Sequence, residues 1–389
     1  MSLSLHKINI SQFRNYEAAR LDLTGTERHP SGIVVLTGSN GAGKTNILEA
    51  VSLLVPGKGL RGAEAKDMKN RAAGPEDLWA VSAEVETAQG LTVRIGTGLD
   101  REAGRRIVRI NGKDVRRQSD LSGFVSAVWL TPQMDRLFLE GSPSRRRFLD
   151  RLVFAYEPDH VTRINRYDKT MRERMKLIQL DKPADPRWLS GLETQMSAAA
   201  VSAAASRIAL LRRLQQHADA LDAHFPRPRL EAEGWVENEL AARPAVDVEE
   251  ELKNRLAAAR MADRASGRTG EGIHRSDLRV TYAEKNIPAA LASTGEQKAL
   301  LVSIILAHAL MMQVEKGFVP IILLDEVAAH LDETRRRQLF SRLRSLKGQI
   351  WLTGTDETIF SPLLDTAKHF RVDQGHIVGT ARMHKADLL

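Results

Sequence analysis

The chain has 389 residues, 42% hydrophobic and 27% charged, enough apolar material for one large core or two ordinary ones. It contains no cysteine, which excludes disulfides and thiolate-ligated zinc and suits a reducing compartment. Its 57 Lys and Arg against 49 Asp and Glu leave a formal charge of +8, which favours a polyanionic partner.

The first residues, Met1 to Lys7, show no basic stretch followed by a long apolar run, so no signal peptide is expected. Leu5 to Leu23 alternates like two edge strands around a turn at Arg14-Asn15. Ile33-Val34-Val35-Leu36 is a buried-strand run that enters a turn at Thr37-Gly38, and Ile47, Leu48, Val51 and Leu54 then recur at helical spacing. Strand patterns follow at Trp79 to Val85 and Leu91 to Gly96. Arg106 to Ile110 with Asn111-Gly112 reads as a hairpin, because Asn-Gly supplies the positive φ of a tight turn.

From Ser144 to Phe225 proline and glycine thin out and helical spacing takes over. Leu189, Leu192, Met196, Ala199 and Ala203 form one stripe. Ile208, Leu211, Leu214, Ala218, Leu221 and Phe225 continue it after a shift of phase. Such spacing suggests antiparallel helices packed on each other, the alternative being helices laid on the main domain. A further helix is expected over Val248 to Ala262, a loop over Ala265 to Gly272 and a strand over Leu278 to Tyr282. A long buried helix from Glu296 to Val314 precedes two apolar strands, Val319 to Leu324 and Ile350 to Leu352. Its most apolar part, Ala299 to Met312, falls short of the roughly 18–20 apolar residues of a membrane span.

Gly38-Ser39-Asn40-Gly41-Ala42-Gly43-Lys44-Thr45 matches G-x-x-x-x-G-K-[ST] in full, between an apolar strand and an amphipathic helix. Glycines let successive backbone N–H groups converge on phosphate oxygens at a helix start. Lys44 adds charge at the β and γ phosphates and the Thr45 hydroxyl ligates Mg²⁺, so ATP or GTP binding is expected. Ile321-Ile322-Leu323-Leu324-Asp325-Glu326 is an apolar strand ending in two carboxylates. Asp325 is placed to hold Mg²⁺ and Glu326 to act as general base on the attacking water.

Ser293-Thr294-Gly295-Glu296-Gln297, at the start of the long helix, resembles the ABC signature, with Ala292 for its leucine, Thr294 for a glycine and Glu296 at the glutamine position. A plain capping box from Ser293 to Glu296 is compatible with the same residues. Leu331-Asp332 resembles the D-loop, and Gln133, after Thr131-Pro132, stands where a Q-loop belongs, able to reach Mg²⁺ or water. No switch histidine follows Leu352. Thr355 takes its place, and a neutral sensor points to slow hydrolysis. The motifs imply an α/β ABC-type P-loop ATPase head of mixed sheets flanked by helices. A short helical arm (lid) is inserted in it: residues 1–143 and 270–389 form the head and 144–269 the arm.

The chain resembles the RecF family over nearly its whole length. The resemblance rests on Phe13-Arg14-Asn15-Tyr16, Ile47-Leu48-Glu49-Ala50, Gly141-Ser142-Pro143 through Arg145-Arg146-Arg147-Phe148-Leu149-Asp150, His274-Arg275-Ser276-Asp277-Leu278, and the Ser293 to Lys298, Asp325-Glu326 and Leu331-Asp332 blocks. It adds Arg14, Asn15 and Asn46 to the nucleotide contacts. It implies a cytoplasmic, ATP-dependent DNA-binding protein of recombinational repair and replication-fork maintenance, with no membrane role. ATP would drive a homodimer onto single-strand–double-strand gap junctions, RecO and RecR would help it load RecA, and a weak DNA-dependent ATPase would release the DNA.

Candidate DNA contacts are Arg105, Arg106, Arg109, Lys113, Arg116 and Arg117 on the hairpin, and Arg163, Arg166, Lys169, Arg172 and Lys176 on the first arm helix. The competing reading for each is an ordinary solvated face. Arg145-Arg146-Arg147 can cap the arm, pair with Asp150 or touch phosphate. His308 reads as a packed core residue, and the five tryptophans as core rather than a stacking platform. Two rivals fit the pattern less well: a transporter-type ABC ATPase subunit wants a switch histidine and a short helical subdomain, and a DNA-end nuclease wants a further carboxylate and histidine metal cluster. An ATP-gated clamp with little hydrolysis shares every motif except the need for Glu326.

Overall fold

Strands covered on both faces read as unbroken apolar runs, and four such runs stand side by side in one sheet. The computed structural model describes residues 3–24, 32–102, 104–115, 117–180, 185–221 and 225–379. In it Ile33–Thr37, Ala127–Leu130, Ile321–Leu324 and Ile350–Gly354 are buried at every position. The sheet runs His376–Gly379, Lys368–Asp373, Ile33–Thr37, Ile350–Gly354, Ile321–Leu324, Ala127–Leu130. All neighbours are parallel except the first pair. The parallel strands therefore end on one edge, where ligands of such sheets gather.

A second, antiparallel sheet follows the order Tyr16–Asp22, Ser4–Phe13, Ala80–Glu86, Thr92–Leu99, Arg106–Ile110, Lys113–Asp114. Leu5, Ile8 and Phe13 of this sheet share one core with Leu48 and Val51 of the helix Lys44–Ser52 and with Val34, Leu36 and Trp351 of the parallel sheet. The expected opening strands, hairpin and post-loop helix are all present. Ala127–Leu130 and Lys368–Asp373 were not expected: the first is only four residues long, and the second, Lys-His-Phe-Arg-Val-Asp, buries few positions.

By contacts the chain divides into two compact units, one of residues 1–134 and 309–389 and the other of 135–308. The arm expected over 144–269 lies inside the second, which also takes in the segment around Ser293. In that unit the first apolar stripe and the second as far as Ala218, read as a sign of antiparallel helices, share the single 34-residue helix Pro186–Asp219, and Leu221 and Phe225 lie beyond its end. The helix it packs against is His160–Ile178. The change of phase is the drift of a 3.6-residue period against spacings of three and four. A three-stranded sheet, with the unexpected strand Pro228–Glu233 at its edge, and the helices Trp235–Ala242, Ala245–Ala258 and Arg260–Ser266 complete the unit.

Ion pairs are buried within this second unit. Arg174 reaches Glu193 at 3.0 Å and Asp263 at 2.6 Å, all three side chains being almost wholly covered. Arg207 binds both oxygens of Asp150 at 2.8 and 2.9 Å, and His160 meets the same carboxylate at 2.8 Å. Among the described residues one helix, Thr294–Lys316, is long and apolar enough to cross a membrane; 83% of its apolar window is buried inside the fold. The residues of this helix thus serve as core.

Candidate functional site

The helix after the central strand Ile33–Thr37 begins at Lys44, so residues 38–43 must turn within six positions. Gly38 has φ 153°, and a Cβ there would lie 2.1 Å from the Val372 carbonyl oxygen. Gly43 has φ 121°, and its Cβ would meet the Tyr16 hydroxyl at 2.6 Å. Only glycine fits either place. The loop therefore closes tightly and leaves its N–H groups and the helix start to face an anion. Lys44 is buried, and its Nζ donates to the carbonyls of Gly38 at 2.8 Å and Ser39 at 2.9 Å. Burial pushes its ammonium below the usual lysine range, against the pull of Glu326 and Asp325.

Asp325 ends its strand beside the loop. The Thr45 hydroxyl donates to its carboxylate, 3.0 and 2.9 Å from the two oxygens, and the Thr353 hydroxyl donates to Oδ1 at 2.7 Å. Burial pushes the Asp325 carboxyl above its ordinary range. The Thr353 and Thr45 hydrogen bonds oppose this, Glu326 adds to it, and Arg61 counters it. A buried carboxylate with a second acid next to it is a place that gains from a cation, and hydroxyl and carboxylate oxygens are the donors Mg²⁺ prefers. The described residues hold no group of three or more His, Cys, Asp or Glu suited to a metal, so substrate oxygens would have to complete such a shell.

Glu326 has φ 53°, a left-handed backbone that costs a non-glycine residue energy, and its N–H donates to Thr353 Oγ1 at 2.9 Å. Thr353 thus bonds both acids, a part the sequence reading had not assigned. The signal was available: a hydroxyl near the end of an otherwise apolar strand. Thr355, expected as the sensor, is exposed and lines a pocket of about 290 Å³ with Thr37, Gly38, Ser39 and Glu357. Gln133 is exposed in the short turn Pro132–Arg136, after the strand whose Leu130 carbonyl accepts from Asp325 N at 2.9 Å.

The opening turn comes to the same loop. Asn15 Nδ2 donates to the Ala42 carbonyl at 2.9 Å, and Asn46 Nδ2 donates to Asn15 Oδ1 at 2.7 Å. Arg14 is held by both oxygens of Glu49, at 2.9 and 2.6 Å. Glu49 is fully buried on the helix Lys44–Ser52 and also accepts from Arg61 at 2.7 Å. Arg61 donates from the same nitrogen to Asn46 Oδ1 at 2.7 Å. Glu49, named only within the Ile47-Leu48-Glu49-Ala50 block, and Arg61, which stands in no motif, had no assigned part.

In the second unit, Ser293 precedes the helix Thr294–Lys316. Its N–H and hydroxyl donate to Glu296 Oε2, both at 2.9 Å, and the Glu296 N–H donates back to Ser293 Oγ at 3.4 Å. This is the reciprocal capping box. Lys285 holds the other Glu296 oxygen at 2.5 Å, and these bonds draw the Glu296 carboxyl down to about 2. Thr294 is exposed and Gly295 half-buried. Asp332 caps the helix Glu333–Ser345 by accepting from Arg335 N at 2.8 Å.

The candidate basic contacts divide. Arg106 turns inward onto main-chain carbonyls and is not a surface contact. Arg109 pairs with Asp114 at 2.7 Å and Arg163 with Glu157 at 2.5 Å. Arg105, Lys113, Arg117, Arg166, Lys169, Arg172 and Lys176 are exposed, and Arg116 lies outside the described residues. Arg145 grips Asp277 through two 2.7 Å bonds, Arg146 bonds Ser142 and Ser276, and Arg147 bonds Ser144. Asp150 belongs to Arg207 and His160 instead. His308 is buried and bonded to the Leu152 carbonyl at 3.0 Å, as a core histidine should be. Trp188, at 63% exposure, departs from the expectation of buried tryptophans.

The family model described as RecF/RecN/SMC N terminal domain matches residues 4–377. "DNA replication and repair protein RecF" of Mesorhizobium japonicum is 46% identical over 378 residues, covering 96% of this chain and 97% of the relative. The protein of the same description from Caulobacter vibrioides is 45% identical, with 95% and 97% covered. Among solved structures, "Structure of the recombination mediator protein RecF-ATPrS in RecFOR pathway" superposes with a TM-score of 0.82 at 22% identity, over 98% of this chain and 99% of that one. "Structure of the recombination mediator protein RecF-ATP in RecFOR pathway" gives 0.82 at 21% identity, with 98% of each chain covered. The fold is that of an ABC-ATPase-type head, mixed sheets flanked by helices, with a helical arm inserted in the chain.

Proposed function

This chain belongs to the RecF family of DNA replication and repair proteins, and from that premise we propose that it is an ATP-dependent DNA-binding protein of recombinational repair whose ATP-bound form is a homodimer. The observation that carries the reading is the approach of Thr45 to Asp325, with Glu326 the next residue along. The loop amides from Gly38 to Thr45 and the Lys44 ammonium hold the triphosphate. Asn15 of the opening turn, bonded to Asn46, braces that loop, and Arg14 beside it is held by Glu49 on the following helix, which leaves all three near the nucleotide.

Thr45 and Asp325 would hold Mg²⁺, with Gln133 at its periphery; the ion, when bound, neutralises charge on the β and γ phosphates. Glu326 accepts the proton of the attacking water, and Thr353 fixes its backbone while orienting Asp325. Ser293, Thr294, Gly295 and Glu296 of one copy supply a hydroxyl and a helix N-terminus to the nucleotide of the other, with Asp332 and Thr355 at that interface. Glu296 carries charge at neutral pH, and Lys285 neutralises it. Closure of two copies clamps gapped duplex DNA, and slow hydrolysis releases it. Loading of RecA with help from RecO and RecR belongs to the same reading, supported by similarity to a RecF described in the RecFOR pathway. A cytoplasmic setting follows from a DNA partner and the absence of cysteine.

Glu326→Gln tests the reading. With ATP and Mg²⁺ it is expected to bind nucleotide, stop turning over, accumulate as dimers in sedimentation and retain gapped DNA. Monomers only, at saturating ATP, would overturn the dimer, and undiminished turnover would assign the base elsewhere.

A further inference from the structure

Among the described residues of the hairpin, Arg106 is the cation whose donors go into the fold. Its guanidinium donates to the carbonyls of Leu53, Val55 and Gly57, and its Nε donates to Thr97 Oγ1 at 2.8 Å. Those carbonyls belong to the end of the helix Lys44–Ser52 and the turn that follows. The last carbonyls of a helix lack donors of their own and carry the negative end of its dipole. A planar fork of five N–H groups can serve several of them at once, which an ammonium cannot. Burial draws the group down to about 10, so it keeps its charge at neutral pH.

The segment that Arg106 holds runs straight on to the nucleotide site. Leu60 N donates to Ser52 Oγ at 2.7 Å and turns the chain back along the helix. Arg61 comes next, bonding Asn46 and Glu49 at 2.7 Å, and Asn46 adjoins Thr45. Arg61 also lowers the Asp325 carboxyl across space. On the other side, Arg106 begins the strand Arg106–Ile110, which carries Arg109, and the partner strand Lys113–Asp114 opens with Lys113, so the two exposed cations flank the Asn111-Gly112 turn. Arg109 pairs with the exposed Asp114, a pairing that a phosphate can displace at little cost.

We propose that Arg106 is a positioning residue that couples the basic hairpin to the nucleotide site: a polyanion seated on Arg105, Arg109 and Lys113 shifts the strand, and Arg106 transmits the shift through the 53–57 carbonyls to Arg61. This rests on the reading of the chain as an ATP-dependent DNA-binding protein. The antiparallel hairpin is held together by its ladder pairing, whereas the 53–62 turn has little regular structure of its own. A displacement at the hairpin is therefore taken up in that turn, next to Thr45. A cap with no coupling role would stabilise the helix equally with and without DNA.

The test uses the full chain as wild type, Arg106→Gln and Arg106→Lys, with gapped duplex DNA as the probe. ATP turnover is measured with and without DNA, and DNA affinity by fluorescence anisotropy. Arg106→Gln is expected to bind DNA as wild type does, while the ratio of DNA-stimulated to basal turnover falls about fivefold or more. Arg106→Lys, which keeps the charge without the fork, is expected to fall between. A wild-type ratio in Arg106→Gln would overturn the coupling.

Should both variants misfold, hydrogen exchange on the wild-type protein decides: with a non-hydrolysable ATP analogue present throughout, added DNA is expected to change exchange at amides 53–62 beyond the change from the analogue alone. Unchanged exchange there with DNA bound rejects the proposal. A wild-type protein that binds no DNA, or turns over no ATP under any condition, instead sinks the functional reading itself.

Discussion

Thr45 and Asp325 stand 280 residues apart in the chain, yet the threonine hydroxyl lies 2.9 Å from one carboxylate oxygen and 3.0 Å from the other. Thr45 lies in the first turn of the helix after the phosphate loop. Asp325 follows the strand Ile321–Leu324, two places from Ile33–Thr37 in the same sheet, so the parallel order of the strands is what brings them together. Thr45→Val keeps the shape and removes the oxygen. The Mg²⁺ concentration for half-maximal turnover is expected to rise about tenfold or more, which a metal titration checks. An unchanged requirement would remove Thr45 from the metal's surroundings.

Thr353 donates to Asp325 and accepts from the Glu326 main chain. Thr353→Val loses both bonds at nearly constant volume. Hydrogen bonds to charged groups are worth about 1.5–3 kcal/mol, so kcat is expected to fall roughly tenfold or more with little change in nucleotide affinity. Thr355→Val, at an exposed position, is expected to cost less. Steady-state kinetics on the pair ranks the two threonines, and the reverse order would restore Thr355 as the principal sensor.

The Arg174 guanidinium is wholly buried between Glu193 and Asp263. Arg174→Met leaves Asp263 without its arginine and Glu193 with Arg260 alone. Stranding one side of a buried pair costs about 3–5 kcal/mol, and the loss is expected in the arm rather than at the nucleotide loop. Urea unfolding followed by a probe in each unit checks this; equal loss in both would show that the two unfold together.

His308 is buried in the helix Thr294–Lys316, and burial lowers its imidazole to about 4 from an ordinary 6.5. The folded protein therefore holds the neutral ring while the unfolded chain takes up a proton below pH 6.5. The sign follows: the unfolded state binds more protons between pH 6.5 and 4, so stability falls as pH drops through that window and levels off beneath it. The slope from this residue is about 1.4 kcal/mol per pH unit. His308→Leu is expected to flatten the thermal-stability profile between those limits. A profile as steep as the wild type's would assign the acid sensitivity elsewhere.

Much of this was legible beforehand because the informative spacings are local. Eight consecutive residues name a phosphate loop, and the unbroken run Ile321 to Leu324 with two acids after it names a buried strand and its chemistry. Asn111-Gly112 announced its hairpin for the same reason. Where the sequence reading fell short, the missing fact was a contact between distant positions. Two apolar stripes on one helix look like two helices until their partner is seen, and Arg106 looks like its exposed neighbours until its donors are traced to Leu53, Val55 and Gly57.

Residue order by itself determined the phosphate-loop motif, the order of the motifs, the kinship and the helical nature of the insertion, since each is read from short local patterns and their sequence along the chain. Only the tertiary structure decided that Thr353 bonds both acids, that Glu49 gathers Arg14 and Arg61, and which arginines face solvent. Those outcomes depend on strand order and on which side chain is buried against which, and neither is written in any short stretch of the chain.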